Sequence, residues 1–155
     1  MKAERRIFSY TMQIEAEPET VFPLLCPTME AEWIESWKCD MLYSESGYAE
    51  LDGIFRTFNR ETGLEDTWVI SRHERPGRIE FVRWNEIRAI RYSIALKPAG
   101  PGRTESEWTQ VVTALNERGN RYLRGLEVAS FEKMCQTEEK MLNHYLKSGQ
   151  KLIGG

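Results

Sequence analysis

At 155 residues, with 41% hydrophobic and 29% charged side chains, the chain has the length and composition of one globular domain with a full core, and we expect a single domain over residues 1–155. A net charge of −3 gives no electrostatic case for nucleic acid as a partner. No apolar run approaches the ~20 residues of a membrane helix, and the charged opening residues lack the apolar stretch of a secretion signal.

Residues 6–15 alternate, with Phe8, Tyr10, Met12 and Ile14 on one face, and predict a half-buried strand. Pro18 should end it. Thr20 is a candidate cap for a short helix with Pro23 in its first turn, where a missing N–H costs little. Pro27 stops that helix, and residues 28–35 predict a second helical turn or two carrying Trp33. Strands then follow at 38–44, 48–58, 65–74, 78–84, 87–97 and 103–115. Ser46-Gly47, Thr62-Gly63, Arg75-Pro76-Gly77 and the Pro98 to Gly102 segment supply the turns between them. Leu51, Gly53 and Phe55 share one face, as do Trp68 and Ile70, Ile79, Phe81 and Arg83, and Ile90, Tyr92, Ile94 and Leu96. Ser106, Trp108, Gln110 and Val112 form the last such face. Seven short strands with hairpin punctuation make an antiparallel meander.

From about Asn120 the period changes to 3.6, with Asn as a good N-cap. Phe131, Met134, Cys135, Met141, Leu142 and Tyr145 form one stripe of a helix expected to run to about residue 148. Gly125 weakens its early part and allows a bend or a late start, and Gly149 suits the C-terminal cap.

The carriers of a resemblance are Pro18-Glu-Thr-Val-Phe22, Trp33 with Trp37, the segments Trp68-Val-Ile and Ile79-Glu-Phe-Val, Gly102-Arg-Thr104 before Trp108, and the long last helix. Over nearly the whole chain this order resembles the SRPBCC superfamily of START domains, Bet v 1-like proteins, polyketide cyclases and Hsp90-activator homologues. The resemblance implies an α+β helix-grip fold. A seven-stranded curved antiparallel sheet would surround a long C-terminal helix, with two short helices after the first strand. It also implies a mostly apolar pocket between sheet and helix that binds a lipid, polyketide or aromatic metabolite. It carries no shared catalytic signature.

Glu138 is the candidate acid or base, because it lies seven residues from both Phe131 and Tyr145 and so nearly shares their helical stripe. A carboxylate facing a pocket would have a raised pKa unless paired. The alternative is that the stripe drifts and Glu138 reaches solvent at the helix edge. Arg83 shares a strand face with Ile79 and Phe81, so it could enter the pocket and pair with Glu138 or an acidic ligand, or else snorkel to the rim. Tyr10, Phe55, Tyr92, Trp108 and Gln110 are expected inward, as core or as pocket lining beside Phe131, Met134 and Met141. His73 and His144 show no metal-ligand spacing, and no cofactor motif is present. Three scattered cysteines, Cys26, Cys39 and Cys135, suit a reducing cytoplasm rather than a disulfide framework. The expected function is binding of a small hydrophobic or aromatic molecule. A cyclase- or aromatase-like enzyme is the alternative, and an Hsp90-activator-like interaction module the third. Self-association into a homodimer stays open.

Overall fold

The computed structural model describes residues 1–154. It contains one seven-stranded antiparallel sheet built from β1 (Arg5–Ile14), β2 (Asp40–Tyr43), β3 (Ile54–Asn59), β4 (Leu64–Glu74), β5 (Arg78–Trp84), β6 (Arg88–Pro98) and β7 (Thr104–Ala114). The spatial order is β1-β7-β6-β5-β4-β3-β2, so β2 to β7 form a meander and β1 pairs with β7 from far along the chain. Period-two alternation produces this sheet. Phe8, Met12 and Ile14, Trp68 and Ile70, Ile79 and Phe81, and Ile90, Tyr92, Ile94 and Leu96 are all buried on the inner face. Phe55 stacks on Trp68 at 5.0 Å between ring centroids, and Phe81 meets Trp68 edge-on at 5.7 Å.

The strand expected at 48–58 begins at Ile54 instead, and Leu51 is exposed rather than inward. The Glu50 carboxylate explains the late start. It accepts hydrogen bonds from the Ser44 and Ser46 hydroxyls and the Ser46 N–H, which ties residues 44–50 into a loop. Asp52 then takes a φ of 68°, and an ordinary strand cannot contain that angle.

After β1 comes α1 (Pro18–Val21), continued by a 3₁₀ turn at Phe22–Leu25, and a second 3₁₀ turn spans Glu30–Glu32. Pro18 starts this helix rather than merely ending the strand. Glu17, not Thr20, is its N-cap, because proline fits the first helical position. Trp33 is fully buried, and its indole N–H donates to the Leu24 carbonyl at 2.7 Å. The Trp37 indole likewise donates to Pro27 at 2.8 Å.

The C-terminal helix is two helices, α2 (Glu117–Arg124) and α3 (Val128–Ser148). The N-cap is Asn116, whose Oδ1 accepts the Gly119 N–H at 2.9 Å. Asn120, the expected cap, is buried one turn later, and its Oδ1 accepts the Glu4 N–H at 2.9 Å. Gly125 ends α2. Arg6 secures the break by donating Nη1 to the Leu123 and Leu126 carbonyls at 2.9 and 3.0 Å, a cation placed at a helix C-terminus. Helix α3 buries Cys135, Met141 and Leu142 against the sheet. It also covers the β1 edge. Glu139 accepts the Gln13 N–H at 2.6 Å, and Asn143 both accepts from the Glu15 N–H and donates to the Gln13 carbonyl at 2.9 Å. Gly149 closes α3 in the left-handed conformation at φ 71°.

Candidate binding cavity

The break between α2 and α3 leaves α3 standing off the sheet near its start, and a cavity of about 660 Å³ opens there. Its floor is the inner face of four strands, contributed by Phe8, Arg83, Ile90, Gln110 and Val112. Tyr122, Leu126, Phe131 and Met134 close it from the helical side. Asn59, Glu61, Arg121, Glu127 and Ser130 surround the mouth, and four of these five are exposed. Ligand pockets occupy roughly 300–1,000 Å³, so the space suits a small organic molecule. A second depression of about 390 Å³ lies at the other end of the molecule, between Phe22, Met29, Tyr48, His73 and Arg75.

Of the residues expected to line a pocket, Arg83, Gln110, Phe131 and Met134 border the large cavity. Met134 was expected to face the sheet and is instead 38% exposed, because the stripe crosses α3 obliquely and reaches the mouth at this position. Phe131 is half-buried, with its ring 5.4 Å from that of Phe8. Tyr10 sits at the β1 edge, half-buried, and donates its hydroxyl to Glu139 at 3.1 Å. Phe55 packs in the aromatic cluster with Trp68. Trp108 is held by Ser106 at 2.8 Å and meets Tyr92 edge-on at 5.7 Å. Met141 is buried in the core. The cavity thus lies nearer the α2–α3 break than the expected position between Tyr92, Trp108 and α3. His73 lies edge-on to Phe22 at 5.2 Å, and burial holds its pKa below the usual value.

Glu138 is half-buried, and neither oxygen receives a hydrogen bond among the described residues. Burial pushes its pKa up to about 7, and Arg83 opposes this without reaching bonding distance. Of the alternatives open to Arg83, a direct ion pair with Glu138 does not form among the described residues. Arg83 leans instead toward Asp66, with Nη1 3.7 Å from Oδ2. Its guanidinium lies 4.7 Å from the centre of the Trp68 ring. Around Glu138, burial and the neighbouring carboxylate raise Glu30 well above the carboxylate range. Burial and Glu138 also raise Tyr92, and push the Cys135 thiol to about 12.

Sequence reasoning missed the polar anchor beside the cavity. Asp66 and Arg88 are both 0% exposed and form a two-pronged ion pair at 3.0 and 2.9 Å, with Asn85 donating to Asp66 at 2.9 Å. The signal was available, since strict alternation puts Asp66 on the face of Trp68 and Ile70, and Arg88 on the face of Ile90 and Tyr92.

No protein-family model matches the chain, and no curated protein matches it in sequence. Solved structures do match its shape. A hypothetical protein from Helicobacter pylori superposes with a TM-score of 0.72 at 11% identity, covering 90% of this chain and 87% of that one. An uncharacterised protein from Rhizobium leguminosarum gives 0.65 at 16%, covering 94% and 97%. Norcoclaurine synthase from Thalictrum flavum, a point mutant in complex with a transition-state analogue, gives 0.66 at 8%, covering 94% and 99%. At such identities the likeness speaks for architecture, and that architecture is the helix-grip, Bet v 1-like fold.

Proposed function

We propose that this protein binds a small apolar or aromatic molecule in the cavity at the α2–α3 break. The observation that carries the reading is the wall itself. Phe8, Ile90, Val112, Leu126, Phe131 and Met134 supply apolar surface, while the Arg83 guanidinium donates no hydrogen bond and the Gln110 amide makes none to the described residues. Apolar walls with a few convergent, unoccupied polar groups are the usual makeup of a ligand site. The structural likeness to an enzyme that holds a small transition-state analogue supports this by analogy of fold. Titration with the neutral fluorophore 1-aminoanthracene should give saturable binding, and Met134→Trp should weaken it by filling the mouth. Native mass spectrometry of the purified protein should find a co-purifying small molecule. Failure of the fluorophore to saturate, with no retained molecule, would remove the reading.

A second reading is a cyclase- or aromatase-like enzyme. It is favoured by Glu138, whose pKa of about 7 suits proton transfer near neutrality. Glu138→Gln abolishing turnover of a bound substrate, with its affinity unchanged, would support that reading.

A further inference from the structure

We propose that the ligand of this cavity is an amphipathic anion, an aryl or alkyl carboxylate, whose head group is held by Arg83 with the Gln110 amide beside it. The proposal rests on the binding function proposed above. Three observations carry it.

The first is a charge imbalance. Arg83 and Arg88 share one buried carboxylate, Asp66. Asp66 already accepts both Arg88 prongs and the Asn85 amide, and Arg83 stands off at 3.7 Å without a hydrogen bond. One positive charge is therefore left without a bonded partner at the edge of an apolar space, where an unpaired ion is costly.

The second is an unmet donor. Arg83 Nε is buried with no partner, as is that of Arg88, but only Arg83 borders the cavity, where its fork can donate to a carboxylate. Gln110, buried on β7, presents an amide with no protein hydrogen bond and borders the same cavity. A guanidinium and an amide at the floor of an apolar chamber match a head group with two oxygens.

The third is the placement of the opposing charges. Glu61 and Glu127 stand at the solvated mouth, and Glu61 is occupied by the Tyr122 hydroxyl at 2.8 Å. Glu138 faces Arg83 from α3, with Tyr92 and Glu30 nearby, but makes no direct ion pair with it. An anion on Arg83 would drive Glu138 further toward its neutral acid, so its binding is linked to proton uptake and weakens as Glu138 ionises.

The test compares 2-naphthoate with its neutral isostere 2-naphthamide on wild-type protein, Arg83→Gln and Arg78→Gln, an exposed arginine at the far end of the same strand, with 1-aminoanthracene as a charge-free reference. Asp66 keeps its two bonds from Arg88 in Arg83→Gln, so that variant should fold, and its melting curve checks this. We expect wild type and Arg78→Gln to prefer the naphthoate at least tenfold. In Arg83→Gln the preference should collapse to within about twofold, with 2-naphthamide affinity little changed. Equal binding of the two naphthyl compounds by wild type would overturn the proposal, and so would a preference that survives Arg83→Gln. If 1-aminoanthracene binds while the naphthoate is excluded, the cavity reading stands and the anionic head group is wrong. If none of the three binds, both readings fall.

Discussion

At the scale of single residues, two inward polar groups behave in opposite ways. Asp66 accepts from Arg88 and Asn85, so its charge is compensated. Asp66→Leu would strand Arg88 in the core and should cost ~3 to 5 kcal/mol in urea unfolding. Glu138 has no such partner, and its pKa moves from 4.5 to about 7. The folded state then holds this proton more tightly than the unfolded chain. Near pH 4 both states are protonated and nothing is lost. As pH rises through 4.5 to 7, only the folded carboxyl must still release its proton at a cost, so stability falls. Glu138→Gln should match wild type at pH 4 and exceed it by ~1 to 3 kcal/mol at pH 8, the lower values reflecting its partial solvent contact. Glu30 titrates in the same surroundings and is itself raised by Glu138, so the difference between the two curves reports the coupled pair, with Glu30 relaxing downward once Glu138 is neutral. An equal gap at both pH values would show that the effect is packing. The inward direction of Arg83 was readable from alternation on its strand. Its partner was not, because pairing depends on which of two neighbouring elements, β4 or α3, brings a carboxylate closer.

At the scale of elements, the hairpins from β3 to β7 were legible because local turn residues set them, whereas the β2–β3 connection and the start of α2 were not. Asn116 and Asn120 are both good caps by type, and docking decided between them. The docking runs through Gly119. A Cβ there would lie 2.0 Å from the Ile87 carbonyl oxygen and 3.2 Å from the Ala114 Cβ, so α2 sits directly on the sheet backbone. Gly119→Ala should therefore destabilise by ~3 kcal/mol despite alanine's better helix propensity, as overpacking against immobile backbone does. A stabilised variant would mean that α2 moves freely. Along α3 two apolar residues should separate by role. Leu142→Ala, at a fully buried position, should cost ~2 to 5 kcal/mol. Phe131→Ala, half-buried over the cavity, should cost ~1 to 2 kcal/mol and weaken 1-aminoanthracene binding more than Leu142→Ala does. Comparable melting shifts for the two would assign Phe131 to the solid core.

At the scale of the whole molecule, a meander closed by β1 on β7 is a shell whose interior volume depends on how the final helix enters it. The period switch after residue 116 made the helix legible, but the cavity's position was fixed by a tertiary contact no local pattern encodes. Arg6, on the first strand, reaches the Leu123 and Leu126 carbonyls on either side of Gly125. Its guanidinium also lies 4.9 Å from the centre of the Phe8 ring on the cavity floor. One side chain thus links the floor of the cavity to the corner that holds it open. Arg6→Ala would leave the Leu126 carbonyl without a donor among the described residues and Leu123 with the Leu126 N–H at 3.2 Å, at ~1 to 3 kcal/mol. The loss should be local, because α3 keeps its Glu139 and Asn143 bonds to β1. Amide hydrogen exchange should therefore quicken over residues 123–131 while β4 and β5 stay protected, and 1-aminoanthracene affinity should drop in parallel. Exchange that quickens uniformly would mark Arg6 as a contributor to global stability. Faster exchange at 123–131 with unchanged affinity would detach the α2–α3 corner from the cavity, leaving the shape of the binding space to the sheet alone.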